Sequence, residues 1–419
     1  MSVAYEPLSP EFRDDPYPTY RRLRDEAPVH FAPEAQMFCV SRHADVGYVL
    51  KRADIFSSAA MTTVLSGADL ASMGPRVLLE LLRFVITTRI NPLRVRKRKA
   101  LIGVDGPRHE ALRGIVNRGF TPSRIASWEP RVREIVASQI RQLGHGSPFD
   151  VIDDLAVPLP VTIIAEMLGV DAARRADFKR WSNALVSMMS GAASRNPVDA
   201  GPLREIAAFY LFLRETVRER RRQPGDDLVS VLVDPARDGV LDEIDMVQFV
   251  VLLLVAGNET TTNLIGNAAV ALLEHRDALE RVAREPERVP ALVEEALRFD
   301  APIQIVFRTV VEDTELAGTR IPRGAIVAAL LGSANRDERA FPDPDRFDVE
   351  RDPRGHLAFG FGPHFCLGAA LARLEARVAL EALVPELVLC KRVGDRGARI
   401  DSFLVRGRAH LDIVSESDV

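Results

Sequence analysis

The segment Phe359-Gly360-Phe361-Gly362-Pro363-His364-Phe365-Cys366-Leu367-Gly368 decides how the rest of this chain is to be understood. It runs into Leu367–Leu383, where Leu367, Leu371, Leu374 and Val378 repeat at helical spacing, so the cysteine is predicted at the mouth of a helix. Unpaired amides and the positive end of the helix dipole favour a thiolate there. Gly360 and Gly362 leave room for a tight loop that brings backbone N–H groups towards the sulfur. Such donors tune a metal–thiolate bond. Phe359, Phe361 and Phe365 are expected to keep water off it. A lone cysteine at a helix start is more often structural, and His364 with Cys366 lacks the two further ligands that zinc needs. The glycine spacing is what argues for a reactive sulfur.

A second segment breaks a local rule. Leu241–His275 is apolar nearly all round in its middle, which predicts a buried central helix. Within it stands Ala256-Gly257-Asn258-Glu259-Thr260-Thr261. Glycine inside a helix costs about 1 kcal/mol relative to alanine, and a buried carboxylate costs more unless partnered. Such violations point to function. Thr260 lies one turn after Ala256 and is placed to bond its carbonyl, opening the helix ladder locally. The plain alternative is a solvated kink.

Together these segments resemble the cytochrome P450 family, in its soluble bacterial form. Phe359 to Gly368 is similar to the family's haem-thiolate loop, Phe-Gly-x-Gly-x-His-x-Cys-x-Gly, and Ala256 to Thr260 to its oxygen-activating Ala-Gly-x-[Asp/Glu]-Thr. The resemblance implies Cys366 as axial iron ligand of haem b (iron protoporphyrin IX). Glu259 and Thr260 would supply protons for oxygen activation, with Ala256, Gly257, Phe359 and Gly360 lining the cofactor. Asp105 to Arg113 resembles the family's Asp-Pro-Pro-x-His-x-x-x-Arg segment, with Gly106 in place of the first proline. His109 and Arg113 would therefore face the propionates, as would Arg308 and His364, with His356 a further candidate. Glu295 and Arg298 match the Glu-x-x-Arg signature, and Pro344 to Phe347 the loop that follows it, making Arg346 the third member of a structural triad. Taken alone, the Glu295–Arg298 pair reads as an ordinary surface pair.

The family implies a mainly α fold with a small β portion (α+β), the haem lying between the long central helix and the cysteine-loop helix. No internal repeat or dividing linker is visible, so residues 1–419 are expected to form a single haem-thiolate monooxygenase domain. Its β-rich part should come mainly from about 28–58, 303–331 and 385–412. Strands are predicted at Pro28–Phe31, Met37–Val40, Ala325–Leu331, Leu387–Leu389 and Leu404–Val405. Helices are predicted over Ile125–Gly144, Pro160–Leu168, Leu203–Arg222 and Pro290–Phe299, with Phe341–Arg354 as loop.

Composition sets the remaining bounds. The 419 residues carry 55 Lys+Arg against 59 Asp+Glu, a net charge of −4 that gives no general attraction to nucleic acid. Three cysteines without a CxxC pair exclude a disulfide framework. No signal peptide is visible, and the run Phe249–Ala256 is too short to span a bilayer, so a soluble, cytoplasmic monomer is expected. The resemblance implies O2, a hydrophobic substrate (terpenoid, steroid, fatty acid or polyketide) and electrons from a ferredoxin and its reductase. By analogy with the family's recognition segments, Met61, Leu65, Val186, Met189, Val255, Ile303, Ile305 and Phe403 are substrate-facing candidates. Two rivals are a peroxide-driven peroxygenase, which usually lacks the acid–alcohol pair, and a non-catalytic haem-binding protein. One departure from the family pattern is a long connection between Phe56 and Asp105. It carries apolar Val77–Ile90 and then Arg94, Arg96, Lys97, Arg98 and Lys99. A solvated basic face is the plain reading, and docking of an acidic redox partner or a lipophilic substrate entrance the alternative.

Overall fold

Glu243–Glu274 forms one helix of 32 residues in the computed structural model. The structure describes residues 3–7, 9–61, 75–90, 100–143, 148–194, 201–233, 241, 243–352, 354–394 and 397–415. Leu65 and the five cations from Arg94 to Lys99 lie outside the described residues. The helix stays α-helical through Gly257–Thr261, so the polar segment changes what the helix presents rather than interrupting it. Leu254, Leu264, Ile265, Ala268, Ala269 and Leu272 are all but inaccessible to solvent, as an all-round apolar helix requires.

The chain gathers into two compact units assembled from separated segments. One comprises Met1–Phe56, Pro122–Pro160 and Glu259–Val419, and the other Ser57–Thr121 and Val161–Asn258. The first unit holds the principal sheet. Its strands run in the order Val29–Ala32, Met37–Val40, Ile326–Leu330, Ile305–Val310, with Phe56 at the far edge. Met37 pairs with Ile326 in parallel, and Ile305 with Leu330 antiparallel. Val46, Val49 and Leu50 from helix His43–Lys51 pack with Val327, Ala329 and Leu331 to form its core. A smaller sheet joins Phe149–Asp150, Asp412–Ser415 and Cys390–Arg392.

Also in this unit, helix Ala369–Leu389 packs against Glu129–Ile140, Arg276–Arg284 and Val289–Phe299. Arg377 ties it to Glu129 at 2.7 Å. Three sequence expectations are corrected here. The strand predicted at Leu387–Leu389 is the last turn of this helix, which continues past Pro385 because Leu383, Val384 and Leu387 are buried. Leu404–Val405 makes only a short ladder with residues 302–304, with Val405 bridging Ile303. Ile125–Gly144 is two helices, Pro122–Ala126 and Glu129–Ile140. Pro130 has no N–H to give the carbonyl of Ala126, so the ladder cannot run through.

In the second unit, helices Arg175–Ser194 and Pro202–Arg222 pair through aromatic contacts. Trp181 lies 5.4 Å from Phe209 and 5.1 Å from Phe212, ring centre to ring centre. Helix Pro75–Thr88 rests on Pro202–Arg222, and Gly106–Val116 on Leu228–Leu232.

Candidate active site

The cysteine loop is built by two left-handed glycines. Gly360 has φ +71° and Gly362 φ +75°, a region that L side chains other than Asn and Asp avoid. A Cβ on Gly362 would stand 3.0 Å from the carbonyl oxygen of Leu50 and 3.0 Å from the Cα of Lys51, so the loop rests directly on helix His43–Lys51. The Cys366 N–H donates to the Phe359 carbonyl at 2.9 Å, and the Phe365 N–H to that of Gly362 at 3.0 Å. The loop is thus closed by its own backbone, with Cys366 half-buried. Its helix starts at Ala369, capped by Gly368, two residues later than the apolar spacing predicts. The aromatic shield is also different from expectation. Phe361 and Phe365 are exposed, because Phe361 sits in extended backbone between the two left-handed glycines and turns outward. Phe359 alone is half-buried, under the Arg373 guanidinium at 4.5 Å.

Behind the loop lies a buried ion network. Glu295 and Arg298, neither accessible to solvent, form a two-pronged pair at 2.7 and 2.8 Å. The pair is therefore not the surface contact that isolated spacing suggests. Arg298 also donates to the carbonyls of Asn335, Pro344 and Arg346. Here the triad expected from the sequence is corrected. The Arg346 side chain is exposed, and Arg346 contributes only its carbonyl. The second guanidinium on Glu295 belongs to Arg351, at 3.4 Å, which also holds the carbonyls of Pro342, Asp343 and Arg346. His356 is corrected as well. Its Nε2 lies 3.0 Å from Glu294 and its Nδ1 accepts from the Ala358 N–H, so both ring nitrogens are committed within the protein. Burial opposes ionisation of Glu294, but hydrogen bonds from Arg373 and His356 hold it down at about 2.

Arg308 stands buried on strand Ile305–Val310 and donates to the Phe307 carbonyl at 2.9 Å. His364 is half-buried within the cysteine loop. In the second unit, His109 (buried) and Arg113 (half-buried) lie one turn apart on helix Gly106–Val116. That helix is anchored by Arg108 to Asp245 at 2.8 Å, and the preceding Asp105 accepts from Ser57 at 2.6 Å.

The central helix explains its own irregular residues one by one. A Cβ on Gly257 would meet Ile164 Cδ1 at 2.9 Å, so glycine permits close helix packing there. Ala256 is exposed in the middle of a buried helix. Asn258 donates to the Ser182 hydroxyl at 2.8 Å, and Thr262 to the Ala156 carbonyl at 3.0 Å. Glu259 and Thr260 are half-buried, and burial pushes the Glu259 carboxyl above the usual carboxylate range. One residue here escaped the sequence reading. Glu375, on the cysteine helix, is buried against Thr261, and burial lifts its carboxyl to about 8 despite the Thr261 hydrogen bond. Its only signal was a carboxylate flanked by Leu374 and Ala376 on an otherwise apolar helical face.

Among the substrate-facing candidates, Met61, Val255 and Ile305 are buried, and Ile303 packs half-buried against the sheet core. Phe403 lines a small cleft with Phe12, Tyr20 and Arg406 that includes none of the other candidates. Val186 and Met189 lie on helix Arg175–Ser194, with side chains outside the described residues.

A soft sulfur held in a backbone-closed loop, with guanidinium and imidazole donors on separate elements, has the chemistry an iron porphyrin with two carboxylates demands. Comparison with known proteins agrees. The family model "Cytochrome P450" matches residues 83–390. Erythromycin C-12 hydroxylase of Saccharopolyspora erythraea is 38% identical, covering 94% of this chain and 93% of its own. The structure of cytochrome P450 CYP109Q5 from Chondromyces apiculatus is 37% identical, with a TM-score of 0.84 and 99% of each chain covered. CYP109E1 from Bacillus megaterium, crystallised with testosterone, is 32% identical with a TM-score of 0.79, over 96% of this chain and 99% of that one. The chain belongs to the cytochrome P450 family, whose members are haem-thiolate monooxygenases acting on small molecules.

Proposed function

We propose that this monooxygenase ligates haem iron through Cys366 and oxidises a hydrophobic small molecule with O2, taking electrons from a separate ferredoxin and ferredoxin reductase. The bound haem supplies the redox and oxygen-activating chemistry. Everything else falls to the chain. The backbone-closed loop fixes the sulfur, and the N-terminal end of helix Ala369–Leu389 favours its thiolate form. Arg308, His364, His109 and Arg113 hold the propionates by charge-assisted hydrogen bonds. Ala256 and Gly257 present a surface without bulk to the cofactor, and Val255, Ile303 and Ile305 offer apolar contact to substrate. The residues form one catalytic domain, acting in the cytoplasm as a monomer.

The observation that carries this reading is Glu259, a carboxyl raised by burial beside Thr260 on an otherwise apolar helix. A carboxyl nearer neutrality both gives and retakes protons efficiently. Glu259 therefore moves the proton and Thr260 passes it on through its hydroxyl, a pair that a peroxide-driven enzyme would not need. Substrates of polyketide or steroid type fit the apolar candidates and agree with the names of the relatives, through hydroxylation or epoxidation. Two measurements test this. Cys366→Ser should abolish the red-shifted thiolate band of the reduced CO complex, and retention of that band refutes the ligand. Thr260→Ala should divert reducing equivalents to peroxide, and unchanged coupling of electrons to product refutes the proton role.

A further inference from the structure

Helix Pro75–Thr88 leaves an apolar stripe open to solvent. Its buried residues are Glu80 and Thr88. Glu80 takes hydrogen bonds from Arg204 at 2.8 Å and Arg83 at 2.6 Å, and the Thr88 carbonyl accepts from Arg214 at 2.7 Å. These polar contacts pin the helix to Pro202–Arg222. Val77, Leu81 and Val85 are half-buried, while four further aliphatic residues face the other way. Leu78, Leu79, Leu82 and Ile86 are 44%, 49%, 56% and 66% exposed. Leu78, Leu82 and Ile86 follow each other at four-residue steps, so they stack into one stripe. A helix on a water-soluble protein normally turns such a stripe inward, and a contiguous exposed apolar patch marks an interaction surface.

Charge identifies what the stripe meets. Arg76 and Arg89 are exposed beside it. Glu80 is the single acid between residues 75 and 104, and it is buried. We propose that this face of helix Pro75–Thr88 docks on an anionic lipid bilayer, lying in the interfacial plane. Leu78, Leu82 and Ile86 enter the acyl boundary while Arg76 and Arg89 meet the headgroups. The occupant follows from the chemistry. Protein hot spots favour Trp, Tyr and Arg seated in pockets, whereas this stripe is a convex row of aliphatic chains with no exposed aromatic ring. A bilayer asks only for apolar area and positive charge. The surface is reversible in character, since one short apolar face with a few cations anchors only loosely. It is independent of the oxidation chemistry proposed above.

The test uses the full, haem-loaded chain and sedimentation with two kinds of vesicle, phosphatidylcholine alone and phosphatidylcholine mixed with phosphatidylglycerol. The wild type should bind the anionic vesicles, more weakly at high salt, and bind neutral ones far less. The combined variant Leu78→Ser, Leu82→Ser, Ile86→Ser should lower the partition coefficient at least ~30-fold. Its haem absorption and circular dichroism should be unchanged, because these side chains touch solvent. Arg76→Gln with Arg89→Gln should weaken anionic binding and flatten its salt dependence. Equal binding by wild type and the triple-serine variant overturns the proposal, as does no binding to either vesicle. Concentration-dependent self-association, or ferredoxin binding lost in the triple-serine variant without any vesicle binding, also overturns it and names the other occupant.

Discussion

Replacing Glu375 by Gln should stabilise the protein in neutral and alkaline buffer and do little in acid. Glu375 is 2% exposed, and its Oε1 has no hydrogen-bond partner. Burial, offset in part by Thr261, raises its carboxyl from the ordinary value of 4.5 to about 8. Between those values the folded chain keeps a proton that the unfolded chain releases. Its stabilising contribution is therefore fully present below about pH 4.5, declines as pH rises, and is lost through about pH 8. At pH 7 the gap from the unfolded value is about 2.5 units, which at about 1.4 kcal/mol each is about 3.5 kcal/mol. With about 2.1 cal/mol/K of unfolding entropy per residue, a chain this long should gain about 4 °C in Tm. Gln carries no titrating proton and offers Thr261 an acceptor of the same shape, so its stability lacks this slope. Thermal denaturation of both haem-loaded proteins across about pH 5 to about pH 8, at fixed ionic strength, measures the difference. Parallel Tm profiles for the two would refute the reasoning, because an unperturbed carboxylate produces no divergence there.

The buried network makes a sharp comparison between two arginines. Arg351→Ala should cost about 2 kcal/mol in urea denaturation, since it removes charge-assisted bonds to Glu295 and to three carbonyls. Arg346→Ala should stay within about 0.5 kcal/mol, because only its carbonyl is engaged; the reverse order would contradict the geometry. The glycines of the cysteine loop divide in the same way. Gly362→Ala should cost about 1–2 kcal/mol for the left-handed backbone alone, with weakened haem retention because its Cβ meets Leu50. Gly368→Ala, at φ −85° with open space around it, should leave the CO-difference spectrum unchanged. Glu259→Gln should slow turnover and remove the upper-carboxylate limb of its pH profile, a limb that the burial-raised carboxyl predicts.

Much of the fold was legible because its signals are local. The strand Met37–Val40 and the helices Val289–Phe299 and Pro202–Arg222 fall within one residue of where apolar periodicity puts them. The left-handed glycines of the cysteine loop belong to the same class, since only glycine tolerates φ near +70° without cost. The errors occurred where one residue competes with its neighbours. Pro130 split a helix that periodicity joined, while Pro385 failed to end one, because burial of Leu383, Val384 and Leu387 outweighs a single lost hydrogen bond.

By itself, then, the sequence determined the family, the cofactor chemistry and the position of a cysteine loop, since each depends on residue types at short, fixed spacing. Which groups meet across the chain was decided only by the tertiary structure. Glu295 chose Arg351 over the nearer Arg346, Glu294 claimed His356, and Glu375 was carried against Thr261 from more than a hundred residues away. Helix Pro75–Thr88 buries its glutamate, which pairs with Arg204 and Arg83, and leaves Leu78, Leu82 and Ile86 exposed. Ion pairing and burial are set by distances in space, and spacing along a chain does not carry that information.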